Sequence, residues 1–350
     1  MSARSDHLGL ASRRNFVAAG VVLALIVSVL LSVAVGRSST PIPRADPVPH
    51  SSTGNGYWLV DTSGAVRAYG AAPGLGSVTG PLAAPVVDVT TTADGQGYWL
   101  VAADGGVFAY GDAPFLGSMG GQRLAAPIVG MAATADGQGY WLVAADGGVF
   151  AYGDAAFDGS MAGHPLAGHI VGMAAMPDGN GYWLVAADGG VFAYGGAQFE
   201  GSAGGVRLAA PVVGMAAAPD GKGYWLVAVD GGVFAYGGAP FEGSAGGVRL
   251  AAPIVGMAAA PDGSGYWLVA ADGGVFAYGD APFEGSAAGS VASGQRATAI
   301  ATSPATAPPS GGNCTNPTWQ TSDAEGTENV DGGPEDWWVN NDAWSGSHGP

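Results

Sequence analysis

The sequence predicts an all-β protein, a six-bladed β-propeller of 42-residue four-stranded repeats preceded by one N-terminal hydrophobic helix. Three observations carry this expectation. Gly-Tyr-Trp-Leu-Val recurs with its tyrosine at 57, 98, 140, 182, 224 and 266, a spacing of 41 and then 42 four times, which marks one supersecondary unit copied along the chain. In five of the units an Asp-Gly-Gly separates two short runs of β-formers, as a tight hairpin with positive φ requires. After the last unit stands one spare β-forming segment, Thr298–Ser303, and the first unit has no such segment before it.

The unit from Gly97 to Gln138 gives the elements in order. Tyr98–Ala103 and Val107–Tyr110 are the two strands of the hairpin, and Ala113–Ser118 is expected as a third strand. Ile128–Ala133 follows as a fourth, before Asp136-Gly137 turns the chain into the next unit. The Ile128–Ala133 run is apolar on both faces, as suits an inner strand beside a central channel. Tyr-Trp-Leu-Val alternates large side chains between its two faces, so each sheet can pack against both neighbours. Such sheets hide their apolar faces only by stacking, and closing the stack into a ring removes exposed ends. The segment after the sixth unit is expected to complete the first blade, giving six blades without remainder.

Composition agrees with a folded, turn-rich chain: 63 glycines and 23 prolines among 350 residues, 11% charged and 48% hydrophobic. Twenty-eight acidic residues against 11 basic ones give a net charge of -17, which excludes an electrostatic grip on nucleic acid. Cys314 is the only cysteine, so no intramolecular disulfide is available.

Residues 1–14 form a basic segment expected in the cytoplasm. Residues 15–36 are expected as a transmembrane anchor or a twin-arginine-type signal. Phe16–Gly36 carries no charge and is long enough to cross a hydrocarbon core of about 30 Å, while Arg4, Arg13 and Arg14 before it orient the chain N-in and C-out. Ser12–Val17 resembles the twin-arginine export motif, and Ala34-Val35-Gly36 suits a cleavage site. The Pro/Ser-rich stretch 37–55 is a linker, 56–303 the repeat body, and 304–350 an acidic tail with four tryptophans, expected to be mostly disordered.

The unit GYWLVAADGGVFAYGDAPFLGS resembles the tandem repeats of many secreted actinobacterial proteins. There the repeats accompany cell-wall-binding or hydrolytic modules and are taken to form propellers, with no agreed catalytic residues. Asp-Gly-Gly-Val-Phe-Ala is also similar to quinone-binding propeller repeats, but the residues that hold the cofactor there have no counterpart in this chain, and no cofactor is expected. The tail segment WWVNNDAWSGSHGP resembles the first strand of a secreted jelly-roll glycanase-type domain.

Asp104, Asp146, Asp188, Asp230 and Asp272 occupy the same turn in five units and are read as turn chemistry. Trp58 and its five equivalents are read as sheet-to-sheet packing rather than a sugar-stacking girdle. His164 and His169, the only histidines of the body, lack a third metal ligand nearby. Positions that vary between copies point more directly to function. One column holds Leu116, Asp158, Glu200, Glu242 and Glu284, and another Asp112, Asp154, Gly196, Gly238 and Asp280. Their carboxylates are the candidate ligand-binding groups. They are too far apart in the expected fold for the 5–9.5 Å pairing of glycosidase acid and base, so no catalytic residue is assigned. Repeated weak sites would give avidity toward a repetitive ligand. The chain is therefore expected to be a monomeric extracytoplasmic binding or display protein, membrane-tethered or secreted, contacting cell-wall glycan or an envelope protein. The alternative is a non-catalytic arm of a secreted glycoside hydrolase.

Overall fold

The computed structural model describes residues 56–303. The expected basic segment, N-terminal helix, linker and tail lie outside them. Among the described residues no helix is long and apolar enough to cross a membrane.

Eighteen strands form six antiparallel three-stranded sheets. The first sheet takes β1 (Gly56–Asp61) and β2 (Val66–Gly70) from the start of the body and β18 (Ala297–Ser303) from its end, in the order β18-β1-β2. The second is β3 (Val86–Thr91), β4 (Gly97–Ala102) and β5 (Val107–Gly111). The third is β6 (Ile128–Ala133), β7 (Gly139–Ala144) and β8 (Val149–Gly153). Then come β9 (Ile170–Ala175), β10 (Gly181–Ala186) and β11 (Val191–Gly195), followed by β12 (Val212–Ala217), β13 (Gly223–Ala228) and β14 (Val233–Gly237). The sixth sheet is β15 (Ile254–Ala259), β16 (Gly265–Ala270) and β17 (Val275–Gly279). The expected exchange of chain ends is present: Tyr57 pairs with Thr302 and Leu59 with Ile300.

The expected strand at Ala113–Ser118 is absent, and each sheet has three strands instead of four. The reason lies in the partners of that segment. Pro114 has no N–H to give a ladder, and its carbonyl accepts the Trp99 indole N–H at 2.7 Å. The Tyr140 hydroxyl, from the next sheet, accepts the Leu116 N–H at 3.3 Å and donates to the Gly117 carbonyl at 2.6 Å. The backbone is thus satisfied by side chains, and the segment lies as a strap across the seam between two sheets.

Alternation along the middle strand distributes the core as expected. Trp99 and Val101 of β4 pack with Tyr140 and Leu142 of β7, while Tyr98 and Leu100 pack with Trp58 and Val60 of β1. All six Tyr-Trp pairs of the repeat are fully buried, at 0% exposure, and the rings meet across each seam with centroids 5.3–5.5 Å apart. The sixth sheet meets the first as the fifth meets the sixth: Trp267 lies 5.4 Å from Tyr57, and Trp225 lies 5.5 Å from Tyr266. Each inner strand lies against the next, and β18 contacts both β15 and β3. Residues of all six inner strands line one cavity of about 80 Å³.

Candidate functional site

The two carboxylate columns occupy the seams, on their outer side. Asp158 sits on the strap of the third sheet, where its N–H donates to the Tyr182 hydroxyl at 3.3 Å, and that hydroxyl donates to the Gly159 carbonyl at 2.6 Å. Glu200, Glu242 and Glu284 repeat this with Tyr224, Tyr266 and Tyr57, each at 3.2 Å. Burial pushes the hydroxyls of Tyr57, Tyr98, Tyr182 and Tyr224 up to about 12, so they remain protonated donors at neutral pH.

The side chains of the column lie over the last glycine of the next sheet's outer strand. A Cβ at Gly195 would fall 2.8 Å from the Asp158 carboxylate, and one at Gly237 2.9 Å from Glu200. These glycines also have φ of 67° and 66°, a second reason why no other residue fits. Leu116 covers Gly153 in the same way. The residue after each covered glycine belongs to the second column, so the two columns meet across seams. Leu116 faces the sheet that carries Asp154, Asp158 the one with Gly196, and Glu200 the one with Gly238. One carboxylate per seam is the rule, which avoids like-charge repulsion. The seam that brings Glu242 toward Asp280 is the exception.

Beside each column residue stands a phenylalanine, which in the second unit falls within the strand expected at Ala113–Ser118. Phe115, Phe157, Phe199, Phe241 and Phe283 are 60–61% exposed. The absence of the strand expected at Ala113–Ser118 explains this: with the strap held by its backbone and by Leu116-type neighbours, the ring has no sheet to pack on. The first unit has Gly74 at this position. Five seams therefore combine an exposed aromatic ring with at least one carboxylate. The signal available in the sequence was a phenylalanine invariant beside a column that varies from leucine to glutamate, a pairing that a buried strand does not need.

At one end of the sheets the second column also meets the turns between inner and middle strands. Asp112 shares the Thr92 hydroxyl with Asp94, at 3.5 and 2.7 Å. Partial burial and the neighbouring Asp94 raise the Asp112 carboxyl above its usual range, and the N–H of Gln96 and the Thr92 hydroxyl lower that of Asp94. Asp154 and Asp136 repeat the pair around Thr134. Asp280 is exposed at the equivalent place.

The aspartates read as turn residues behave so. Asp104, Asp146, Asp188, Asp230 and Asp272 each accept the N–H two residues on, at 2.9–3.1 Å, which closes the hairpin. His164 and His169 are exposed on a loop, and among the described residues no group of three His, Cys, Asp or Glu side chains is placed to hold a metal. No known family model and no curated protein matches the sequence.

Proposed function

We propose that the six sheets are the blades of a closed six-bladed propeller that binds a neutral polysaccharide of the cell envelope at its rim. The body stands outside the membrane, tethered or exported by residues 16–36. The observation that carries this reading is the row of five exposed phenylalanines, each at a seam with a carboxylate. An aromatic ring offers its face to the C–H side of a sugar, and a carboxylate accepts hydrogen bonds from hydroxyl groups. Stations repeated at one per sheet on a rigid support suit a polymer that repeats as well, with weak individual sites summed by avidity. Charge selects among polymers. The described body holds nineteen Asp and Glu residues against six Lys and Arg, so phosphate- or uronate-bearing chains are repelled and neutral ones are not. Closure is supported by the Tyr57–Trp267 contact and by the position of β18 between β15 and β3.

The test is co-sedimentation of the full chain with insoluble neutral cell-wall polysaccharide. Phe157→Ala, Phe199→Ala and Phe241→Ala are expected to weaken retention by less than about 10-fold singly and by about 100-fold or more together. Unchanged retention of the triple variant, or no retention of the parent chain, would overturn the reading.

A further inference from the structure

The inner strands carry one residue that the seam sites do not use. At the register position of Asp88 the four sheets that follow have Gly130, Gly172, Gly214 and Gly256, and β18 has Ala299. These small residues leave the central cavity open, and Asp88 alone projects a charged side chain toward it. The rest of the wall is Val, Gly, Met, Ala, Ile and Thr298, with no Lys, Arg or His.

The Asp88 carboxylate accepts the N–H of Val89 through Oδ1 at 2.8 Å and that of Met131 on β6 through Oδ2 at 2.9 Å. It is partly buried, because it opens on the cavity. Two amide bonds leave further lone pairs on both oxygens. In the pairing of β3 with β4, Val89 is a non-hydrogen-bonded position, so its N–H and carbonyl turn away from β4. The equivalent residues of the other inner strands turn the same way, as the Met131 N–H bound to Asp88 shows. The cavity thus combines one carboxylate, the backbone of Met173, Met215, Met257 and Ile300, which stand at the same register position as Val89, and room for one or a few water-sized species. A charge enclosed without a countercharge is electrostatically incomplete, and hard oxygen ligands in a small space favour a small cation.

We propose that the central cavity is a binding site for a small monovalent cation, ammonium or an alkali-metal ion, held by Asp88 and by inward-facing peptide carbonyls. The proposal stands apart from the glycan reading, since the cavity and the rim share no residue.

The experiment is the thermal midpoint of the full chain in detergent, in ammonium, potassium or choline chloride at equal ionic strength and neutral pH. Choline is too bulky for the cavity and serves as the reference cation. The parent is expected to melt about 2–4 °C higher in ammonium or potassium than in choline. Asp88→Gly, which restores the residue of the following sheets, and Asp88→Asn are expected to melt alike in all three salts. Rubidium soaked into crystals is expected to give an anomalous peak beside Asp88. Equal midpoints of the parent in all salts, or a shift of the same size in Asp88→Gly, would mean that Asp88 only accepts its two amide bonds, and would overturn the proposal.

Discussion

The first and fifth sheets have nearly the same middle strand but are assembled differently. The fifth, β12-β13-β14, is one continuous stretch of chain, whereas the first draws β18 from more than two hundred residues away. The contacts they make are nonetheless alike. Tyr224 donates to the Gly201 carbonyl at 2.5 Å, and Tyr57 donates to Gly285 at the same distance. The difference appears at the turn. In the fifth sheet Asp230 caps the hairpin by accepting the Gly232 N–H. In the first, Ser63 stands at that position and Asp61 takes over from two residues earlier, accepting the N–H groups of Ser63 and Ala65 and pairing with Arg67 at 3.4 Å. Packing across the seam is therefore fixed by geometry, while the means of closing a turn is interchangeable.

This comparison can be broken most directly by removing residues 297–303. That deletion strips β1 of its inner partner and exposes two neighbouring inner strands. It is expected to cost about 5 kcal/mol or more, read as loss of the cooperative urea transition; a chain that still unfolds with the parent midpoint would show that β18 is dispensable. Next in size is the matched pair Trp267→Ala and Trp183→Ala. Both seams should lose about 3–5 kcal/mol in urea denaturation, and a much smaller loss for Trp267 would mean that the sixth sheet leans only loosely on the first.

Replacing Tyr57 or Tyr182 by Phe removes the hydroxyl that bridges the strap. Each is expected to cost about 1–2 kcal/mol, equally at both seams, because an N–H and a carbonyl lose their partner.

Asp88 gives a smaller, pH-dependent effect. Burial pushes its carboxyl up to about 6, against about 3.9 in an unfolded chain. Its stabilising contribution is thus complete below the unfolded value and is lost as pH rises from about 4 through 6. No other titratable group lines the cavity. In choline buffer, Asp88→Gly should therefore gain on the parent by about 1–2 kcal/mol between pH 4 and 7, a figure reduced for water in the cavity. A pH-independent difference would rule this out. Smallest of all is the rim: Phe241→Ala should change stability by less than about 0.5 kcal/mol, and a larger loss would place that ring in the core.

Much of the fold was legible because copying makes structure visible. The period, the Asp-Gly-Gly hairpin and the burial of Trp99 and Tyr98 follow from repetition and alternation alone. The exchange of β18 was legible from one missing and one surplus segment. The fate of the expected third strand, Ala113–Ser118, was not, because it turns on the hydroxyl of Tyr140, a residue that local propensity cannot bring to Leu116 and Gly117. Phe115 and its equivalents were not singled out, since their exposure depends on the path of that same segment. Asp88 escaped notice because β3 reads as an irregular copy, and only its position at the cavity gives the irregularity meaning.

By itself, the amino-acid order determined the unit, its turns and the residues of its core, since each depends on neighbours within a few positions or on the two-residue alternation of a strand. Only the tertiary structure decided which side chains of different units meet. Leu116 faces the sheet of Asp154, and Glu242 the sheet of Asp280, because a strap from one sheet crosses the outer strand of the next. That crossing joins residues nearly one repeat apart, where hydrogen bonds across the seam, rather than any local preference, set the path of the chain.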